Sequence, residues 1–376
     1  MILVLVPDIK ARADEYACLM NHLSQLPNVQ VRVHEVQGAQ QVLTEVYLVG
    51  DTLALSLEDM ATLPGVQNAV RVSREYRVLG RHAGDQRAAS FDYNGVEFSQ
   101  SNLNIFAGLC AVDNRESVEK MLRALRDNGQ VCTRMGAYKP RTSPYAFQGH
   151  GKHCLPYVLE LAGKYGIKVI AMEVTHESHV AEIDAALELT GNPTGVMVQI
   201  GTRNTQNFEL LKAVGRQHRF PVLFKRGFGI TLDESLNAAE YLASEGNRKV
   251  VFGLRGMKTN MGDPHRNFVD FSHVPVVKRH TLMPVCIDPS HSVGTRATAP
   301  DGILDLIHAT AQGIIAGANM ILIDFHPDPA KALVDGAQAM TLAELPYFIE
   351  DVTIAREAYE RRVELATRWG RETGPG

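Results

Sequence analysis

The chain has 376 residues, 45% hydrophobic and 21% charged, the profile of a globular protein with ample core. A net charge of -4 and a pI near 6.4 exclude nucleic acid or an anionic membrane surface as the main partner, so any cationic site must be a local concentration of Lys and Arg. No charged-then-apolar leader and no apolar run of about 18 residues is present. The five cysteines (Cys18, Cys110, Cys132, Cys154, Cys286) are scattered without a CxxC, which points to a reducing cytoplasm rather than a disulfide framework.

In chain order, Ile2–Val6 is predicted as a strand and Lys10–Leu26 as a helix; Val29–Val36 and Glu45–Val49 alternate like strands. A short helix over Leu57–Leu63 and a strand over Val66–Val72 complete a β-α-β-β-α-β order, the ferredoxin-like pattern, within residues 1–75. A polar stretch over 76–101 is expected to be linker with at most one short strand. From 102 to 370, short apolar runs alternate with helical segments. Strands are expected near Leu103–Ala107, Gln130–Arg134, Ile167–Met172, Gly195–Ile200, Pro221–Lys225, Val250–Leu254, Met283–Ile287 and Met320–Asp324. That rhythm predicts an α/β fold, a closed (β/α)8 TIM barrel, ahead of an open doubly wound sheet. A last helix is expected from about Leu342 to Arg368, with a disordered tail over 371–376.

The stretch from Arg134 to Gly149 is the strongest chemical signal. It holds Arg134, Lys139 and Arg141 with the hydroxyls of Thr142 and Ser143, stiffened by Pro140 and Pro144. Guanidinium forks and a lysine point charge bind phosphate and carboxylate oxygens with direction. In a barrel, catalytic groups gather at the C-terminal strand ends. Cys110, Arg134, Lys139, Glu173, Arg203, Lys225 with Arg226, Arg255, His291 and Asp324 all fall there, and the excess of cations implies an anionic substrate. Cys110, His291, Asp324 and Asp335 together offer thiolate, imidazole and carboxylate donors, a set suited to a borderline divalent ion. Singly, each has a plainer explanation, as core packing, a satisfied histidine or a turn residue. His150, His153 and Cys154 lack a matching downstream pair and read as a loop-to-helix start.

Segments spread along residues 1–365 carry a resemblance. Ala107-Gly108-Leu109-Cys110, the Arg134–Gly149 run, Gln199-Ile200-Gly201-Thr202-Arg203-Asn204 and Pro221-Val222-Leu223-Phe224-Lys225-Arg226-Gly227 come first. Arg255-Gly256, Arg266-Asn267, Asp288-Pro289-Ser290-His291 and His326-Pro327-Asp328-Pro329 follow in order. In these the chain resembles the metal-dependent type I 3-deoxy-D-arabino-heptulosonate 7-phosphate (DAHP) synthases, the subgroup related to KDO 8-phosphate synthase with an N-terminal ferredoxin-like domain. The resemblance implies condensation of phosphoenolpyruvate with erythrose 4-phosphate, the first step of the shikimate pathway. It implies Cys110, His291, Asp324 and Asp335 as ligands of Mn, Co, Zn or Fe. Arg134, Lys139, Arg203, Lys225 and Arg255 would hold phosphoenolpyruvate, and Arg141, Thr142 and Ser143 the sugar phosphate. Lys139 would donate a proton, with Glu173 near the attacking water. It further implies a homotetramer, an aromatic amino-acid effector on the N-terminal domain, a cytoplasmic location, and no nucleic-acid or membrane partner.

Some residues depart from the family pattern. Asp324 replaces a glutamate, which draws the carboxylate back by about 1.5 Å, so that either the backbone shifts, a water bridges, or the metal site is weakened or lost. Leu109 replaces a proline, Ala111 and Asp113 replace Ser and Glu, Leu254 replaces a glutamate before Arg255, and Leu187–Thr194 looks like an insertion. These departures leave three readings: a synthase with drift, a phosphoenolpyruvate-condensing enzyme recruited to another aldehyde, or an inactive phosphoenolpyruvate-binding regulator.

Overall fold

The structure, a computed structural model, describes residues 1–37, 42–52, 55–71, 75–82 and 87–373. Two compact units divide the chain, Met1–Arg87 and Ala88–Gly376.

The first unit contains β1 (Ile2–Leu5), α1 (Ala13–Ser24), β2 (Val29–Gln37), β3 (Val42–Gly50), α2 (Leu57–Ala61) and β4 (Val66–Val70). The sheet order is β2-β3-β1-β4 with every neighbour antiparallel, the ferredoxin-like arrangement the sequence predicts. Alternating residues of the strands (Leu3, Leu5, Val46, Leu48) meet Leu19 and Leu23 of α1 and Met60 of α2 in one apolar core. The Ser56 side chain accepts from the Asp59 N–H and starts α2. β3 begins three residues before its predicted start at Glu45. Val72, the predicted end of β4, lies outside the described residues.

The second unit opens with a hairpin, β5 (Ser90–Tyr93) and β6 (Val96–Ser99), inside the stretch whose composition reads as linker. Its turn is Asn94-Gly95, both at positive φ (47° and 76°), the geometry that a two-residue hairpin turn demands. Phe91, Tyr93, Val96 and Phe98 point to one side and pack against Phe106, Cys132, Val169, Met197, Leu223, Val251 and Met320. The hairpin therefore closes the N-terminal end of a barrel. Residues 83–86 of that stretch lie outside the described residues.

The barrel alternates strands and helices. They are β7 (Asn104–Leu109), α3 (Arg115–Asp127), β8 (Cys132–Met135), α4 (Leu155–Lys164), β9 (Val169–Val174), α5 (Ser178–Leu189), β10 (Gly195–Ile200) and α6 (Phe208–Arg216). After these come β11 (Val222–Lys225), α7 (Leu232–Ser244), β12 (Val250–Leu254), α8 (Val274–His280), β13 (Val285–Ile287), α9 (Pro289–Val293), α10 (Asp305–Ile315) and β14 (Met320–His326). All pair in parallel from β7 round to β13, and β14 bonds to both β13 and β7, so the ring closes. A two-residue strand, β15 (Met340–Thr341), is appended to β14. The chain ends in α11 (Leu345–Thr373), longer than the predicted helix; 374–376 of the expected tail lie outside the described residues. No helix among the described residues is long and apolar enough to cross a membrane.

Side chains in a strand alternate between the barrel interior and the helices. Followed two at a time, the interior rows run from apolar to charged: Cys132 then Arg134, Ala171 then Glu173, Leu223 then Lys225, Cys286 then Asp288, Leu322 then Asp324. The lower layers are a dry core, and the C-terminal layer is ionic. This is how the fold positions the site.

Candidate active site

A cavity of about 290 Å³ lies at the C-terminal mouth, lined among others by Lys139, Arg141, Thr142, Ser143, Glu173, Arg203, Lys225, Arg255, Arg266, His291 and Asp335. Beside it the donor atoms of Cys110, His291, Asp324 and Asp335 lie within 4.8 Å of one another. The structure thus gathers the expected substrate and metal residues at one mouth, with Arg226 the exception. Cys110 and Asp335 are 225 residues apart in sequence, with Sγ and Oδ2 at 3.1 Å.

One acid that sequence reasoning passed over organises the cluster. Asp288 is fully buried; its Oδ2 accepts from Lys225 Nζ at 2.6 Å and its Oδ1 from His291 Nδ1 at 3.0 Å. That bond places the imidazole proton on Nδ1 and leaves Nε2 facing Cys110 Sγ (3.8 Å) and Asp335 Oδ2 (3.5 Å), the arrangement of a metal-ligating histidine with a carboxylate behind it. Burial opposes a charged His291, but Asp288 and Asp324 outweigh it and raise the group to about 10. Burial likewise opposes the Asp288 carboxylate, yet His291 and Lys225 hold it well below the usual carboxylate range. Asp335 is held low in the same way, against burial, by its bond to His291 and by the nearby Cys110 and Arg266. The period-two row Cys286–Asp288 was the signal available in the sequence.

Asp324, buried at the end of its row, is held on both oxygens, by Arg134 Nη1 on Oδ1 and by Gln338 Nε2 on Oδ2 at 2.6 Å. Arg134 also reaches Cys110 Sγ at 3.6 Å, and its guanidinium is matched below the cavity rather than on its wall. Lys139 Nζ lies 3.3 Å from Cys110 Sγ and 3.6 Å from Glu173 Oε2. Burial alone would lower its pKa, but Cys110 and Glu173 raise it, so it stays protonated. The Glu173 carboxylate has room only because residue 201 is glycine; a Cβ there would stand 1.9 Å from Oε1.

Arg255 is 5% exposed and, among the described residues, has no hydrogen bond or ion pair; the Phe228 ring lies 6.0 Å away. Burial lowers its pKa by more than the nearby acids Asp288 and Asp270 raise it. At the rim, Arg203 Nη2 reaches Thr142 Oγ1 at 3.4 Å, its one hydrogen bond among the described residues. Arg226 differs from its neighbour Lys225. It follows the alternate direction, out of the barrel, and pairs with Asp270 at 3.0 Å. Arg266, not singled out as a site residue from sequence, lines the cavity and donates to Asp335 at 3.2 Å.

The fold and site define a (β/α)8 barrel with a cation-lined cavity next to thiolate, imidazole and carboxylate groups that could hold a metal ion. The chain belongs to the DAHP synthetase I family, whose model matches residues 93–360. It is 35% identical to the phospho-2-dehydro-3-deoxyheptonate aldolase of Thermotoga maritima over 82% of this chain and 86% of that protein. It is also 26% identical to the 2-dehydro-3-deoxyphosphooctonate aldolase of Syntrophobacter fumaroxidans, over 76% of this chain and 99% of that one. The crystal structure of the Thermotoga phospho-2-dehydro-3-deoxyheptonate aldolase (DAHP synthase) superposes with a TM-score of 0.68 at 31% identity, covering 95% of this chain and 97% of the other.

Proposed function

We propose that this protein is a 3-deoxy-7-phosphoheptulonate synthase, condensing phosphoenolpyruvate with D-erythrose 4-phosphate to give DAHP and phosphate. The observation that carries the reading is the convergence on one cavity of a deep, unmatched guanidinium (Arg255), a rim of Arg141, Thr142, Ser143 and Arg203, and the donor set beside them. One small anion would engage Arg255 and Lys225, leaving the rim for a second phosphate.

The donor set fits a borderline divalent ion, of which Mn, Co, Zn and Fe are the reasonable identities. Bound there, such an ion would supply Lewis-acid polarisation of the aldehyde oxygen. The chain's own residues do the rest. Arg255 and Lys225, with Arg203 reaching in from the rim, hold the enol phosphate so that its C3 meets the aldehyde carbon, and Arg141, Thr142 and Ser143 hold the sugar phosphate; positioning two repelling anions is where much of the rate arises. As the C–C bond forms, Lys139, kept protonated beside Glu173, gives its proton to the developing alkoxide. Glu173 orients the water that adds at C2 and receives its proton, and phosphate leaves with the C2–O bond electrons as the new C2 hydroxyl becomes the ketone and gives its proton to the departing phosphate. An aromatic amino-acid effector for the N-terminal unit, a homotetramer and a cytoplasmic location belong to the same proposal and rest on family resemblance.

The test is turnover of the metal-stripped protein reloaded with Mn, Co or Zn, followed as loss of enol-phosphate absorbance with erythrose 4-phosphate. Phosphoenolpyruvate binding without turnover under any metal sinks the synthase reading; turnover with another aldose phosphate only would reassign the substrate.

A further inference from the structure

Three residues beyond Cys110, the buried side chain of Asp113 touches the segments that carry two other members of the donor set. Its Oδ2 accepts from His326 Nε2 at 2.5 Å, two residues after Asp324. Its Oδ1 accepts from the Leu333 N–H at 3.3 Å, two residues before Asp335. Its backbone carbonyl accepts from His150 Nε2 at 2.7 Å, where the anion-binding loop ends. The Asp328 N–H, which can only donate, lies 3.0 Å from His326 Nδ1, so the ring proton is on Nε2 and directed at Asp113.

The segment from Asp324 to Asp335 needs such a hold. It leaves the barrel at β14, makes a one-turn 3-10 helix at Pro329–Lys331, and exposes Leu333 to 49%. Asp335 itself sits at φ 55°, the left-handed region that a non-glycine residue keeps only when its surroundings enforce it. Its neighbour Val334 packs with Cys110, Ala111 and Phe147, an apolar contact that fixes proximity but not register. The two oxygens of Asp113 fix the register, gripping one end of the segment at a ring nitrogen and the other at a backbone N–H.

We propose that Asp113 is a positioning residue, a latch that ties the segment ending in Asp335 to the strand end bearing Cys110 and so sets the spacing of the metal donors. The inference rests on the metal reading of those four residues. Its test is Co(II) titration of the full-length, metal-stripped protein, read by the thiolate-to-cobalt absorption, in Asp113→Ala, Asp113→Asn, His326→Gln and the Asp113→Ala/His326→Gln pair. Alanine at 113 and glutamine at 326 should each weaken Co(II) binding about tenfold or more and alter the band, the size of loss typical of outer-shell partners. Asparagine, which accepts only one of the two donors, should fall between. The double variant should lose no more than the worse single one. Wild-type affinity, within twofold, in Asp113→Ala would overturn the latch, as would losses that sum in the double variant. Should Asp113→Ala fail to fold, His326→Gln and Asp113→Asn probe the same contact, and wild-type affinity in both would overturn it. Absence of Co(II) binding by the unaltered protein would overturn the metal reading and, with it, this one.

Discussion

Lengthening Asp324 to glutamate tests whether the short carboxylate is a defect. The family resemblance implies that it is, because the ligand expected there is a glutamate, one methylene longer. The structure argues otherwise. The four donor atoms already lie within 4.8 Å of one another. A tetrahedral ion with bonds of about 2.0–2.3 Å sets its ligand atoms about 3.5 Å apart, so no donor need move inward by more than about 0.8 Å. Meanwhile Asp324 is fully buried, with Arg134 on one oxygen, Gln338 on the other, and its backbone N–H held by Ser290 Oγ at 2.9 Å. An inserted methylene has nowhere to go, and overpacking of this kind costs about 1–3 kcal/mol. Asp324→Glu should therefore lower the melting temperature of the metal-free barrel by about 3–10 °C while leaving metal affinity within about threefold. Thermal unfolding in chelator and a competition titration with Zn or Co measure the two quantities. An affinity gain of tenfold or more, with no loss of stability, would refute the argument and restore the view of Asp324 as a weakened ligand.

Other expectations follow from single contacts. Arg255→Met removes a buried cation that has no partner, so it should leave thermal stability unchanged or higher while weakening phosphoenolpyruvate binding by tens- to hundreds-fold, measured calorimetrically; a large drop in melting temperature would show that the guanidinium has a structural partner after all. Lys139→Ala should fold and lose at least about a hundredfold in kcat, and an active variant would remove lysine from the proton transfer. In the metal-free protein the pKa of His291 is raised from 6.5 to about 10, so the stability it contributes is fully present below pH 6.5 and lost as pH rises through 10. Denaturant unfolding in chelator should show that decline, of the order of 3–5 kcal/mol, and flat or rising stability across this window would contradict it.

Much of the barrel was legible because strands buried on both faces read as continuous apolar runs. Gly195–Ile200 and Val250–Leu254 match their predicted ends residue for residue. The β5–β6 hairpin was not seen, although Asn94-Gly95 between alternating Phe91, Tyr93, Val96 and Phe98 is a strong turn signal. Its exposed positions are polar and its strands only four residues long, so composition hid the alternation. Cations at strand ends stood out in the sequence; their acidic partners did not. Asp288 and Gln338 matter through contacts with residues 63 and 14 positions away, and no local pattern marks such closure. Arg226 shows the converse error: adjacency to Lys225 suggested a shared role, and strand alternation sends the two side chains opposite ways.

Counting cations therefore overstates what the mouth offers to an anion. Arg134 is matched by Asp324, Lys139 by Glu173, Lys225 by Asp288 and Arg266 by Asp335. Matched pairs still donate hydrogen bonds, but their net field at a phosphate is small. Among the described residues the unmatched guanidinium groups lining the cavity are Arg255, deep and buried, and Arg141 and Arg203 at the rim. A buried charge without a partner is destabilising by several kcal/mol, so Arg255 is tolerable only if an anion regularly occupies its place. At the rim, where water screens charge, a guanidinium is assisted by the hydroxyls of Thr142 and Ser143. The acids at the mouth thus decide which cations remain available, and in doing so they separate one deep anion subsite from one at the rim.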